Sequence, residues 1–254
     1  GAEPTSITGT KTVASLYDPE SGTFVSKDSP GHNIFCSGIS LMEDGSIFNS
    51  GGDFQLTKTS RFDLESLTWV KLDDMNFPRW YPTAMTMPDN RVFTTFAMGA
   101  GNTSEVYSGV TDQWVHTPGA NMQSLVDEQN SINAGQKYIS TWMQFYSFMN
   151  VAPNGQVFQS GPMETMHWFG TQGEGSVEEV GKRLEGDQAR MFGSAVMYDV
   201  GKILITGGND PSLFPPSSNT AIQIDLNSGA PVVSEVPSMN HARTFHDSVV
   251  LPTG

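Results

Sequence analysis

Three observations predict an all-β fold: dense turn residues, short apolar runs without helical period, and a strand–turn–strand phrase that recurs along the chain. The 254 residues include 26 Gly and 15 Pro. These cut the apolar stretches into pieces of strand length, none sustaining the i, i+3, i+4 spacing of a helix face. With 37% hydrophobic and only 16% charged side chains, the chain is too apolar to stay disordered and long enough to bury a large core.

The recurring phrase supplies the elements in order. Its first copy runs from Ile39 to Gly52 and turns at Gly45. The second spans Ala84–Thr94 and turns at Asn90, the third Phe148–Gly161 at Gly155, and the fourth Ala195–Gly208 at Gly201. A fifth begins at Ser248 and reaches Gly254. The turn markers stand 45, 65, 46 and 53 residues apart, the period of kelch-type propeller blades. A second phrase follows three of the copies, at Ser60–Trp69, Ser104–Trp114 and Thr220–Asn227. It reads as the outer two strands of a blade, with an aromatic that caps the blade below. Leu16–Phe24 is the same phrase with no inner hairpin before it. The expectation is therefore a kelch-type β-propeller, incomplete in this chain. Residues 1–254 would form a single partial propeller domain of about four and a half blades with both ends inside a blade, a fragment of a longer polypeptide whose missing C-terminal segment completes the ring.

Charge and composition exclude several functions. Thirteen Lys and Arg against 27 Asp and Glu leave a formal charge of −14, which repels phosphate backbones and anionic headgroups, so neither nucleic acid nor membrane is an expected partner. No apolar run approaches the roughly 18 residues of a membrane span, and Gly1–Lys11 lacks the zones of a signal peptide. The single cysteine, Cys36, rules out an internal disulfide framework and Cys-rich zinc patterns. Asn102-Thr103-Ser104 is a glycosylation triplet of a kind that also arises by chance. Gly99–Gly101 and Gly173–Gly175 lie between strands with no helix following and read as loops. The hydrolase elbow and the P-loop are absent. His32, His116, His167, His241 and His246 show no metal-ligand spacing, and the 13 scattered Met read as adaptable core filler.

Two stretches remain. His32–Ser40 precedes the inner hairpin of one blade, and Pro78–Thr83 precedes that of the next. Cys36 and Tyr81 are 45 residues apart, one blade period, and equivalent positions on neighbouring blades are spatial neighbours. By itself Cys36 reads as a buried structural thiol, because free cysteine is among the most buried residue types.

At these residues the sequence resembles the galactose oxidase and glyoxal oxidase family of copper radical oxidases. The resemblance rests on His-x-x-Phe-Cys-x-Gly-Ile-Ser at His32–Ser40, Arg-x-Tyr at Arg79–Tyr81, and Phe-Gln-x-Gly-Pro at Phe158–Pro162. It continues through Gly181–Arg183, Ser194–Asp199, Gly201–Leu204 and Ala242–Pro252. Trp80 and Pro82 follow the glyoxal-oxidase wording, and the later segments look more like galactose oxidase.

The resemblance implies a seven-bladed propeller, a secreted enzyme, and a copper ion ligated by Tyr81, whose ring carbon is bonded to the sulfur of Cys36. Such a thioether donates electron density and lowers the oxidation potential of the phenol. Copper and the oxidised ring then accept two electrons from a primary alcohol or an aldehyde hydrate, and O2 takes them back as H2O2. Departures matter too. The family's Trp stacked over the thioether has no counterpart in Arg91–Gly101, where Phe96 is the nearest aromatic and reads equally as a core residue at a strand end. The family's sugar-orienting Arg falls near Trp142 and its substrate-rim Gln near Leu213 and Phe214, so polar groups are replaced by apolar ones. A pocket without donors for sugar hydroxyls rejects galactose. The family's axial tyrosine base and its two copper histidines fall beyond Gly254. His246 imitates the first of these, but Phe245 stands where tyrosine is required, so His246 is not expected on copper. A copper radical oxidase, with this chain inactive alone, is the expected function; the alternative is a non-catalytic kelch propeller that binds a protein or glycan through its loops.

Overall fold

The computed structural model describes residues 12–27, 31–97, 103–123, 125–127, 145–209 and 216–253. These form two compact units, Gly1–His116 and Thr117–Gly254, built almost wholly of antiparallel sheet. In the first unit β1 (Ser15–Asp18) pairs with β2 (Thr23–Ser26). A four-stranded sheet follows in chain order: β3 (Gly38–Leu41), β4 (Ile47–Ser50), β5 (Thr59–Asp63) and β6 (Thr68–Lys71). A second has the order β7 (Thr83–Thr86), β8 (Val92–Thr95), β9 (Glu105–Ser108) and β10 (Gln113–His116). In the second unit one sheet holds β11 (Phe148–Val151), β12 (Val157–Gly161), β13 (Thr165–Gly170) and β14 (Ser176–Lys182). The other holds β15 (Ser194–Asp199), β16 (Lys202–Thr206), β17 (Ala221–Asp225) and β18 (Val232–Val236). All four are simple meanders, the topology of propeller blades.

The repeated phrase becomes a repeated hairpin because its turn marker takes a positive φ: 81° at Gly45, 60° at Asn90, 80° at Gly155 and 69° at Gly201. A Cβ opposes that conformation, so Gly or Asn is selected there. The first three copies close with the same pair of bonds. Met42 N donates to Ser46 O and Gly45 N to Met42 O, with Met87, Arg91 and Asn90, then Ala152, Gln156 and Gly155, in the same roles at 2.7–2.9 Å. The fourth turns more tightly, with Asp199 opposite Lys202.

In the first unit the outer hairpins tie each four-stranded sheet to the sheet before it. Trp69 on β6 donates its indole N–H to Lys27 O at 2.6 Å, and Trp114 on β10 donates to Asp73 O at 3.0 Å. Trp114 and Tyr107 also lie against Phe48 of the preceding sheet at 5.9 and 5.2 Å between centroids, so the aromatic caps its neighbour as expected. Phe48, Met42, Met75 and Val92 complete that core. In the second unit Phe158, Met166, Ile203, Ile205, Ile222 and Ile224 form the larger cluster; each such side chain contributes about 1.5–3 kcal/mol on burial. Methionines 42, 75, 87, 122, 149, 163, 166 and 191 are all buried, in the filler role.

Two differences from the sequence reading stand out. The third copy also carries an outer hairpin, β13–β14, which lacks the polar Asp turn and reverses instead through Gly173 and Gly175 at φ 57° and 75°. The fifth copy forms no strand among the described residues, and Val249 and Leu251 are exposed. A lone strand gains no ladder bonds without a partner.

Candidate active site

Each of the four inner strands, and likewise the fifth copy of the phrase, is entered through one non-glycine residue in the left-handed region. These residues are Cys36 (φ 63°), Tyr81 (59°), Tyr146 (44°), Phe192 (59°) and Phe245 (52°). Each stands nine positions before its turn marker, so the kelch period and the strained entry are one feature. Left-handed geometry costs a β-carbon-bearing residue roughly 1–2 kcal/mol, and the surrounding contacts must hold it. Between neighbouring blades the entries are joined in the same way: Tyr81 N donates to Cys36 O at 2.9 Å, and Phe245 N to Phe192 O at 2.7 Å.

Close backbone approach seats the Cys36–Tyr81 pair. A Cβ on Gly38 would lie 3.0 Å from Pro82 O and 3.1 Å from the Ala84 Cβ, so β3 and β7 approach more closely there than a side chain would allow without a shift of the neighbour. On the far side of Cys36 and Arg79, a Cβ on Gly51 would stand 2.4 Å from Arg79 O, and one on Gly52 would stand 2.5 Å from Asn33 O. Gly52 N donates to Arg79 O at 3.2 Å, and Asp53 N to Phe35 O at 2.8 Å. The glycine pair at the end of β4 therefore clamps both segments at once.

The Cys36 thiol is buried, at 7% exposure, and accepts a hydrogen bond from the Tyr81 phenol. Burial pushes its pKa up, and the phenol and indole partly offset this. Tyr81 is pushed up to about 12, first by its hydrogen bond with Cys36, then by burial and the nearby negative charge of Asp53. Both groups are therefore protonated at neutral pH. Trp80 meets the Tyr81 ring edge-on, with centroids 4.5 Å apart and planes at 73°.

Arg79, two residues before Tyr81, is completely buried. Its guanidinium pairs with Glu105 at 3.0 Å, also fully buried, and donates to the carbonyls of Phe96 and Thr103, each at 3.0 Å. The Glu105 carboxylate in turn accepts from Asn76 N and Asn76 Nδ2 at 2.8 Å and from Phe77 N at 3.2 Å. Phe96 is buried and itself left-handed, φ 57°. It is fixed beside this network through its carbonyl. Trp80 is the aromatic seen against the Tyr81 ring.

No family model matches the chain. A galactose oxidase of Gibberella zeae is 34% identical over 260 residues, covering 96% of this chain and 37% of that protein. The aldehyde oxidase GLOX of Vitis pseudoreticulata is 25% identical over 243 residues, covering 87% of the chain and 43% of that protein. A solved fungal alcohol oxidase of the AA5 family, in complex with copper, superposes with a TM-score of 0.81 at 30% identity, over 93% of this chain and 49% of its own. Over nearly its whole length the chain is similar to members of the galactose oxidase and glyoxal oxidase family. Its fold class is the all-β propeller of these oxidases, and it spans well under half the length of the curated relatives it matches.

A family member would hold copper at Tyr81, and its donor set can be tested against the described residues. The phenol is a suitable oxygen ligand and lies on the only cysteine in the sequence. Among the described residues no group of three or more His, Cys, Asp or Glu side chains could enclose a metal ion, so the described part offers this one ligand with its sulfur neighbour. His246, set aside as a copper ligand, shares a hydrogen bond with Thr206 Oγ1 at 2.9 Å and follows Phe245 just as Pro82 follows Tyr81. Trp142, Leu213 and Phe214 lie outside the described residues. A cavity of about 370 Å³ in the second unit, beside Asp187 and Arg190, includes none of the expected site residues. Sequence reasoning missed Trp80, Asp53 and Glu105 as neighbours of the site. The available signal was an acidic residue opening the apolar strand Glu105–Ser108.

Proposed function

We propose that the protein containing this chain is an extracellular copper radical oxidase that converts primary alcohols or aldehydes with O2 and releases H2O2. The observation that carries this reading is the Cys36 thiol hydrogen-bonded to the Tyr81 phenol at the entries of two adjacent blades, a pairing a purely binding propeller does not need. Copper, when bound, supplies one-electron redox capacity beside the phenol. The chain's part is to place a sulfur at the ring of that phenol. Linking them removes one hydrogen from the thiol and one from the ring, two electrons in all, which O2 accepts.

The remaining ligands, two histidines and a tyrosine base by family likeness, belong to chain beyond Gly254 in this reading. An uncovered sheet face supports that arrangement. Ile39 and Leu41 of β3 are 61% and 67% exposed, and Leu41 faces Ile47 across the β3–β4 ladder. The additional segment would pack on that apolar stripe, and the edges left by β1 and β2 would be paired by it. The apolar residues Trp142, Leu213 and Phe214, at positions where sugar-binding relatives carry polar groups, favour non-sugar alcohols and simple aldehydes over galactose.

Oxygen uptake and peroxide release by the copper-loaded full-length protein test the reading, with aryl and aliphatic alcohols, glyoxal-type aldehydes and galactose as substrates. Turnover is expected on a non-sugar substrate and faster than on galactose. Tyr81→Phe should abolish it, and Cys36→Ala should lower kcat roughly a hundredfold or more. Full activity in Tyr81→Phe, or none in the wild-type enzyme on any substrate, would overturn it and favour a binding propeller.

A further inference from the structure

We infer that the buried Arg79–Glu105 pair is the positioning device of this site, holding the Tyr81 entry over Cys36 and fixing Phe96 in register with it. The inference deepens the reading of Cys36 and Tyr81 given above and rests on it for its catalytic meaning. Both side chains have no exposed surface. A charge pair this deep gives little net stability, whereas removing one partner strands the other without solvent. Its presence calls for another explanation, and the geometry supplies one.

The backbone between Asn76 and Tyr81 is tied to neighbouring segments by main-chain bonds: Arg79 N donates to Leu56 O at 2.8 Å, Tyr81 N to Cys36 O at 2.9 Å, and Gly52 N to Arg79 O at 3.2 Å. Glu105, on β9, takes hold of the segment at Asn76, Phe77 and Arg79 together. Arg79 then passes the constraint to the carbonyls of Phe96 and Thr103. Three left-handed residues, Cys36, Tyr81 and Phe96, are thus linked by one network. Strain of this kind persists only where the surroundings over-determine it.

The second unit shows the device used without the redox pair. Arg190, just before Phe192, donates to Gly207 O and Thr220 O at 3.2 Å and to Thr220 Oγ1 at 3.0 Å, matching the bonds of Arg79 to Phe96 and Thr103. Its carboxylate partner is Asp187, from its own loop, at 2.8 Å. In the first unit the acid comes instead from β9. Anchoring across the sheet leaves the Tyr81 segment attached to a strand and not to another loop. Glu105 also offers acceptors that an amide cannot replace, since a glutamine has one acceptor oxygen for four donors.

The test uses the full-length protein purified without copper and follows alkylation of Cys36 by peptide mass spectrometry. Wild type should be slow. Glu105→Gln and Arg79→Lys should alkylate at least tenfold faster, and Glu105→Asp, which keeps the charge and both oxygens, should restore part of the protection. Asp187→Asn breaks the comparable pair in the second unit and serves as the control. At an equal loss of melting temperature it should change the Cys36 rate less than twofold. Wild-type rates in Glu105→Gln and Arg79→Lys, or equal acceleration by Asp187→Asn, would overturn the inference. The copper reading is scored separately by exposing wild type to copper and O2. Protection lost only in the Arg79 and Glu105 variants, with no loss of two hydrogens in copper-treated wild type, would uphold the positioning role while removing the radical cofactor.

Discussion

Gly51 and Gly45 both have positive φ, 71° and 81°, yet they face different surroundings. A Cβ on Gly51 would fall 2.4 Å from a backbone oxygen, whereas on Gly45 it would meet only the tip of Leu64 at 3.0 Å. Gly51→Ala should therefore cost about 2–4 kcal/mol and Gly45→Ala about 1–2 kcal/mol, the difference being overlap with Arg79 that cannot relax. Urea unfolding of the two variants checks the order, and equal costs would contradict the clamp. At this scale the sequence was legible where a residue type is scarce and spaced by the repeat, as with the single cysteine one blade from Tyr81. It was opaque where the partner comes from an unrelated position. Nothing in the local pattern says that Glu105 bonds Asn76, Phe77 and Arg79, or that Trp80 meets the phenol ring edge-on. These contacts depend on how blades meet, and no period encodes that.

The hairpins and their outer partners were readable because each turn needs a residue tolerant of positive φ, and because β6 and β10 carry the tryptophans, Trp69 and Trp114, that reach the neighbouring sheet. Asn90, alone among the first four markers in carrying a side chain, is a direct probe. Asn90→Ala should destabilise by about 1 kcal/mol and Asn90→Gly by a few tenths at most. Chemical denaturation should separate them, and an alanine variant as stable as the glycine one would contradict the turn assignment. Trp114→Phe removes the indole bond to Asp73 O and part of the cover over Phe48; the expected loss is about 1–3 kcal/mol. The outer hairpin β13–β14 escaped notice for a physical reason. Its turn is made by Gly173 and Gly175 without the polar Asp phrase of the other outer hairpins, so the pairing of Thr165–Gly170 with Ser176–Lys182 emerges only from the register, Met166 opposite Gly181. The fifth copy has the pattern of a strand without a partner among the described residues.

Acidic composition and buried imidazoles together set how the whole molecule answers to pH. Burial holds His32 and His167 below the ordinary histidine value, so on acidification the unfolded chain takes up protons first, from about pH 6.5 downward. Exposed carboxylates stay ionised until lower pH, so their repulsion is not yet relieved. The melting temperature should fall between pH 7.5 and 5.5, and a rise over that window would contradict the assignment of neutral buried histidines. Sequence and structural likeness to these oxidases extends over nearly the whole chain, and the fold class is their all-β propeller. The chemistry depends on one apposition, Cys36 with Tyr81. The most direct test is a peptide map of the full-length protein after maturation with copper and O2. The account predicts that the peptides carrying Cys36 and Tyr81 migrate as one species, lighter by two hydrogens than their sum and resistant to thiol reductant. Complete alkylation of Cys36 in copper-loaded, active protein would contradict it.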